Sequence, residues 1–450
     1  MSPKVKDPDR KVGFGKLVLW QTSSVSVALT ALVLGFVTIY CTDTLHLDPL
    51  AVGTLFMVSR IVDAITDMAV GFVIDRTNTR WGKGRPYEIF MLFLWLSTWL
   101  LFSTPTSFSD TAKYIWIFVM YTFMNSVCKT FLNGNNVVYL VRAFKSKEQQ
   151  VKVTAYGSFF TMGGSLIFNI LFPMAMARIA TSAAGWSRLM AMLAVPLTII
   201  GLLRMLTIKE QYNNEADTDP NAEKLKLSDI LSAFKNRYFI IVLIVGLIFS
   251  LVVNMGAAVY YWTWIVGNVE LMGVTAVFSI VGLPLAFLMP MWQRKFGLGK
   301  MCAAGFTVMT VGYAAIFLAG GNLIPLVVCL LLTQIGNVPF NMMKNIFIVD
   351  LASYNEINGK QRMEATMNAL LGYMDKIGQA AGGFILGLLM SMAGYNGALE
   401  AQPGSALMMI RMSMSVIPAI ASIVCAVLLF RGYKLDKVLR EHRASQTSEN

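Results

Sequence analysis

Charge is scarce in this chain of 450 residues: 14% are Asp, Glu, Lys or Arg, where soluble domains carry about a quarter. Apolar residues make up 56% and the mean hydropathy is +0.60. A soluble chain of this length would split into two or three domains with polar surfaces, and there is too little polar material to cover them. Histidine is nearly absent. His46 falls in a short loop and His442 in the tail, which leaves no histidine-based metal centre or catalytic base. The five cysteines, Cys41, Cys128, Cys302, Cys329 and Cys425, show no CxxC spacing and read as small buried hydrophobes. No nucleotide or metal motif is present, and no nucleophile, base and orienting group fall together, so an enzyme is the weakest reading. The charged N-terminus MSPKVKDPDRKVGFGK has no cleavage site and predicts no removable signal peptide. Alternation of apolar and polar residues is missing too, which excludes a β-barrel.

What is present is a series of long apolar runs. A bilayer core takes roughly 20 apolar residues per helix, and lipid leaves the backbone only helix or closed barrel. Twelve spans are predicted, at about 16–40, 49–74, 89–104, 114–141, 151–177, 186–207, 238–265, 271–292, 301–319, 323–349, 365–393 and 406–430. The longest polar stretch after the N-terminus, KEQYNNEADTDPNAEKLKLSDILSAFKNR, separates spans six and seven. The expected fold is therefore an all-α membrane protein of two six-helix halves, with the layout of the major facilitator architecture. Its parts are a bundle at 1–207, a linker at 208–237, a second bundle at 238–430 and a tail at 431–450. Such folds hold a solute near the midplane between their halves.

Lys and Arg set the orientation. Seven alternate segments hold 28 of the 37 basic residues, while 41–48, 266–270 and 394–405 hold none. The basic side is cytoplasmic, which places both termini and the linker inside and the chain in the cell membrane. The net charge of +12 follows from this bias. Because it is spread over seven segments, it does not indicate nucleic acid. The tail RGYKLDKVLREHRASQTSEN reads as a short amphipathic helix on the inner leaflet.

Ionisable residues inside a span are costly unless paired or hydrated. Span two carries Arg60, Asp63 and Asp67 on one helical face. Asp63 lies about 21 Å beyond Pro49 at ~1.5 Å per residue. Two acids one turn apart suit an oxygen-coordinated Na⁺ or a shared proton; a structural ion pair of Arg60 with Asp63 is the alternative. Span four has the stripe Thr122, Asn125, Lys129, Asn133 and Asn136. Span eleven has Asp375 and Lys376 near its middle, with Asn368 and Gln379. Span ten adds Gln334, Asn337, Asn341 and Lys344, and span five Thr154, Ser158, Thr161, Ser165 and Asn169. One such stripe is interhelical glue, whereas five predict a lined aqueous cavity. Lys344 and Arg411 are read as snorkelling from span ends. The cluster Tyr260, Tyr261, Trp262 and Trp264 fits either an aromatic belt or a solute contact.

The segment RIVDAITDMAVGFVIDRTNTRWGKGRPYEI resembles the signature of the glycoside–pentoside–hexuronide:cation symporters, the melibiose permease family. The matching positions are Asp67, Gly71, Asp75, Gly82, Lys83, Gly84, Arg85, Pro86 and Tyr87. The likeness continues in GTLFMVSR, VDLASYNE, YMDKIGQAAGGFILG and LLFRGYKLD, and so spans most of the chain. The resemblance implies a solute symporter with no cofactor beyond Na⁺ or H⁺ as coupling ion. Asp63 and Asp67 would coordinate the cation with Thr122. Lys376 would lie near the cation and solute sites. Arg80, Lys83 and Arg85 would belong to a cytoplasmic gating loop, with simple positive-inside topology as the equal alternative.

This chain also departs from the family. Gly84 replaces the usual Phe, and Glu88 stands where an apolar residue is typical. Galactoside-carrying members place an acid at the Asn125 position, an aromatic at Lys129, an acid near Val27 and an Arg near Ser158, so galactoside specificity is not expected. Arg60, Lys129 and Lys376 balance Asp63, Asp67 and Asp375, so the centre neutralises itself. Either coupling is weaker or uses H⁺, or Lys129 meets an anionic solute such as a uronide or a sulfonated sugar. The expected solute-facing set is Asn125, Lys129, Lys376 and Asp375, with Arg60 in the charge network. The expected partners are a small molecule and the lipid bilayer, and a monomer suffices. The remaining alternatives are carriage of another organic solute, such as a lysolipid, or a solute sensor that does not transport.

Overall fold

The computed structural model describes residues 12–77, 79–212, 234, 236–359, 362–439 and 441. Most of the expected linker and the end of the tail, with His442, lie outside the described residues. So does the side chain of Asp75.

Helices occupy each of the predicted spans, and nine helical runs among the described residues are long and apolar enough to cross a membrane. The helices Phe90–Leu101, Val274–Phe296 and Glu364–Met392 are not among those nine. Starts are fixed by side chains that accept the free N–H groups of the first turn. Ser109 caps Asp110–Thr122, Ser146 caps Lys147–Ile179, Ser182 caps Ala183–Thr207 and Asn236 caps Arg237–Val253. Pro173, Pro196, Pro284, Pro290 and Pro339 sit inside helices, as spans tolerate when neighbours satisfy the freed carbonyls. Large apolar side chains such as Leu318, Ile324 and Phe159 are exposed, a surface that suits lipid and not water.

The fold divides into two compact units, Met1–Leu47 with Thr54–Ala222 and Asp48–Gly53 with Glu223–Asn450. Three spans expected to be continuous are broken. In the first unit, Phe14–Leu34 stops before Gly35 and the run ends in a π-helical turn, Tyr40–Thr44. In the second, Arg237–Val253 stops, Gly256 takes φ +79°, and the run resumes as Ala257–Tyr261 and the π-turn Trp262–Val266. The first helix of each unit is thus interrupted and then ends in a π-turn, though Gly35 stays right-handed at φ −59° while Gly256 is left-handed. The third break is Ser415, at φ −129° and ψ −74°, between Gly404–Met414 and Val416–Val427.

A second device recurs. After Ala183–Thr207 the chain brings Glu210 to the loop between the second and third spans. Its carboxylate accepts the backbone N–H groups of Lys83, Gly84 and Arg85 at 2.9, 2.8 and 2.5 Å. After the last span of the second unit, Asp436 accepts the N–H groups of Leu298 and Gly299 at 3.0 and 2.8 Å. Each acid faces a glycine with positive φ, Gly82 at +117° and Gly297 at +88°. A Cβ at Gly297 would lie 2.8 Å from Asp436 Oδ2, and one at Gly82 would collide with the Glu210 carboxyl. Both turns therefore need glycine twice over, for conformation and for space.

Within the first unit, Glu88 and Arg204 are a fully buried ion pair, with Glu88 0% and Arg204 1% exposed. Arg204 Nε donates to Glu88 Oε2 at 3.0 Å and a second guanidinium N–H to Oε1. Asn135 donates to Glu88 at 2.9 Å, Asn136 accepts from Arg204 at 2.8 Å, and the guanidinium stacks on Trp20 and Tyr139. This explains both departures in the signature. The acid at 88 is matched by Arg204, and a Cβ at Gly84 would collide with Asn135 and Tyr139, which hold that pair.

A half-removed buried pair leaves an uncompensated charge. Glu88→Ala or Arg204→Ala alone should lower stability by about 3–5 kcal/mol, and Glu88→Leu with Arg204→Met should recover most of it. Thermal unfolding of the purified variants in detergent checks this. A double variant no more stable than either single one would contradict it.

Candidate transport site

The helix Pro49–Arg76 presents Ser59, Arg60, Asp63 and Asp67 at turn spacing. Asp63 is 6% exposed. Its Oδ1 accepts from Thr130 Oγ1 at 3.3 Å, and its Oδ2 lies 3.9 Å from Arg60 Nη1. A charge-assisted bond closes to about 2.7–2.9 Å, so the Arg60–Asp63 contact is loose. Asp67 is half-buried one turn on. Thr122 donates to Ser59 Oγ at 2.9 Å, one turn from Asp63, and so faces the same helix without a hydrogen bond to either acid among the described contacts.

The expected stripe on span four does not run as a regular helix. Residues Phe123–Lys129 form a π-turn, which inserts one residue and re-aims those that follow. Thr130 Oγ1 consequently donates both to Asn125 O, five residues back, and to Asp63. Sequence periodicity missed Thr130 because it assumed an unbroken 3.6-residue period. Asn125 is 2% exposed; its amide donates to Tyr121 O at 3.3 Å, and its Oδ1 has no hydrogen-bond partner among the described residues. Lys129 feels the charges of both Arg60 and Asp63. It also lines a cavity of about 290 Å³ within the first unit, with Ser23, Ser24, Asn133, Asn136 and Arg204. The first unit thus joins Arg60, Asp63, Asn125 and Lys129 through one stretch of helix and one turn. Arg204, absent from the sequence reading, also borders the cavity, with its charge matched by Glu88.

The oxygens around Asp63 are a carboxylate and hydroxyls, hard donors that suit an alkali cation or a proton. Among the described residues no three His, Cys, Asp or Glu side chains gather as a transition-metal site would require.

Arg80, Lys83 and Arg85 line a polar cavity of about 660 Å³ with Arg76, Arg142 and Lys209. Arg85 Nε donates to Met205 O at 2.7 Å, and Arg142 approaches Glu210 at 3.8 Å. The loop is therefore tied to the exit of Ala183–Thr207 through Glu210, a residue that no motif or periodicity singles out.

In the second unit the structure corrects one reading. Lys344 does not sit at a span end. Its helix runs Leu323–Ile357, and Lys344 Nζ donates to Asp375 Oδ2 at 2.7 Å. Ser250 Oγ also donates to Asp375 O at 2.7 Å. The charge balance drawn from the sequence omitted Lys344, and Asp375 is matched by it. Lys376 is half-buried beside this pair. Arg411 likewise is held inside, donating to Phe317 O at 2.7 Å and stacking on its ring. Tyr260, Tyr261 and Trp262 are each 1% exposed, and Trp264 donates to Tyr395 at 2.9 Å. This cluster packs inward, so the belt reading fails for those three.

Lys344→Ala and Asp375→Ala should each destabilise the protein, and the double variant should cost less than their sum by about 0.5–3 kcal/mol. A double-mutant cycle of thermal unfolding reads this, and strict additivity would deny the pair.

A relative in Bacillus subtilis (strain 168), an uncharacterized symporter YnaJ, is 28% identical over 410 residues, covering 88% of this chain and 86% of that protein. The isoprimeverose transporter of Lactiplantibacillus pentosus is 26% identical, covering 91% of this chain and 86% of that one. The crystal structure of a bacterial homolog of the human lysosomal transporter Spinster, inward-facing and occupied, matches with TM-score 0.71 at 13% identity, over 92% of this chain and 95% of that one. That likeness shows the fold, the major facilitator arrangement of transporters. The family model described as MFS/sugar transport protein matches residues 23–437, nearly the whole chain, and the protein therefore belongs to that family of membrane symporters, the glycoside–pentoside–hexuronide:cation type.

Proposed function

We propose that this protein carries a sugar or glycoside across the cell membrane by alternating access, coupled to Na⁺ or H⁺. The observation that carries the reading is Asp63, a carboxylate 6% exposed inside span two, which accepts from the Thr130 hydroxyl and lies 3.9 Å from Arg60. Asp63 and Asp67, with Thr122 from the facing helix, take the ion. Asn125, Lys129, Lys376 and Asp375 face the solute. Arg60 belongs to the charge network, with Arg80, Lys83 and Arg85 in a loop that responds to the transport state.

Neutralising the acids shifts the balance toward the state that accepts solute, and by linkage the solute favours the ion equally. Residues 1–207 and 238–430 act as the two halves, in a chain that works as a monomer with both termini cytoplasmic. The isoprimeverose transporter among the relatives supports a sugar as substrate. One observation favours an anionic derivative such as a uronide or a sulfonated sugar. Lys129 lines the first-unit cavity, and a carboxylate or sulfonate there would meet its positive charge and the hydroxyls of Ser23 and Ser24.

Proteoliposomes carrying the parent chain, tested against a solute panel with and without sodium and at two pH values, identify solute and ion. Asp63→Asn and Asp67→Asn should each cut ion-driven accumulation about tenfold or more, a loss of at least ~1.4 kcal/mol in coupling. Accumulation intact in both variants defeats the reading. Lys129→Ala should lose acidic sugars and keep neutral ones. If it still moves every acidic sugar that the parent moves, the anionic reading is wrong.

A further inference from the structure

A second cavity, of about 240 Å³, lies wholly within the second unit and plays no part in the ion and charge network above. Its walls come from both pieces of the interrupted first helix of that unit, including Gly256 and Trp262. The helix Leu323–Ile357 contributes Gln334 and Asn337, and the end of Gly404–Met414 contributes Ser413. Among the described residues no Asp, Glu, Lys, Arg or His lines it.

Three features point to a ligand. Ser413 is 1% exposed, and its hydroxyl has no hydrogen-bond partner among the described residues; Asn337 Oδ1 has none either. The Asn337 amide reaches only Gln334 Oε1, at a limiting 3.5 Å. Buried polar groups are normally paired; this hydroxyl and this carbonyl belong to residues that line one cavity, and a guest that donates and accepts would pair both once their side chains turn toward it. Two helix breaks also adjoin it, at Gly256 and, next to the lining Met414, at Ser415. In transporters, interrupted helices mark binding sites because the freed backbone must face a cavity. The lining, finally, joins the aromatic walls Trp262 and Tyr313 to amides and hydroxyls, the mixture typical of small-molecule sites.

The same features define the guest. An ion here would be desolvated without a counter-charge, so the guest is neutral. The volume falls below the ~300–1,000 Å³ of drug-sized pockets, which limits it to about one ring. Amide and hydroxyl groups on one side and aromatic faces on the other match a ring that carries hydroxyls at its rim and C–H bonds on its face. We propose that this cavity is a binding site for a neutral, polyhydroxylated ring of monosaccharide size. Gln334, Asn337 and Ser413 supply its hydrogen bonds, and Trp262 its wall. The identity of the guest as a sugar rests on the reading of the chain as a sugar transporter; the site itself is separate from the Lys129 cavity.

The test uses the full-length protein in nanodiscs, with radiolabelled D-xylose and D-glucose as probes. Asn337→Val and Ser413→Ala should each weaken equilibrium binding of the neutral monosaccharide that the parent binds by about tenfold or more, the scale on which hydrogen-bonding sites discriminate. Ser413→Cys, a small exchange that keeps the test available if Asn337→Val fails to fold, should react with a maleimide more slowly when that sugar is present. Equal binding in the parent and both variants, or maleimide labelling that neither sugar slows, overturns the proposal and leaves the cavity to water. The outcomes separate from those of the transport reading: counterflow with an indifferent Ser413→Cys removes only this site, and protection without flux of any sugar removes only transport.

Discussion

Every charge that this chain takes out of water has to be answered by another part of the same chain, and the internal structure of both units follows from that constraint. Desolvating an ion costs several kcal/mol, so Glu88 appears with Arg204, two asparagines and a pair of aromatic faces. Asp375 appears with Lys344. Glu210 and Asp436 are answered by peptide N–H groups, which makes two tight loops the counterparts of two acids. Asp63, inside span two, accepts from the Thr130 hydroxyl and lies 3.9 Å from Arg60.

The two units repeat one scheme despite little likeness in sequence. In each, the first helix breaks and ends in a π-turn, and the exit of the last helix clasps the loop between the second and third spans through a carboxylate. Such correspondence is what duplicated halves of a transporter would keep. The clasps secure each bundle at one end, and in the second unit the break at Gly256 lines a cavity. The units differ in what they enclose. The first has a cavity with Lys129 and Arg204 on its wall, the second a cavity lined only by neutral groups.

Hydropathy made the helices legible because lipid leaves so little choice, and the charged positions in span two were legible because charge inside an apolar run is rare. What the sequence hid was local geometry. The π-turn at Phe123–Lys129 carries no distinctive residue, so Thr130 could not be predicted as the partner of Asp63. Lys344 was misplaced because its helix continues to Ile357, beyond the end of the apolar run. A residue judged to be at a membrane edge was in fact mid-helix and paired. Arg204 stands three residues before the end of its helix, Ala183–Thr207, where a basic residue is ordinary, and its pairing with Glu88 joins positions 116 residues apart that no local pattern connects. The breaks in the first, seventh and last spans escaped because Gly35, Gly256 and Ser415 sit in runs whose apolarity continues across them.

The account stands on ion and solute moving together through the acids of span two. The most direct measurement is the current evoked by a transported neutral sugar in proteoliposomes of the parent chain adsorbed on a solid-supported membrane. The account predicts a transient of positive charge in the direction of the sugar, dependent on Na⁺ or on pH and absent without protein. Sugar flux that carries no charge, and that is indifferent to both sodium and pH, would contradict it.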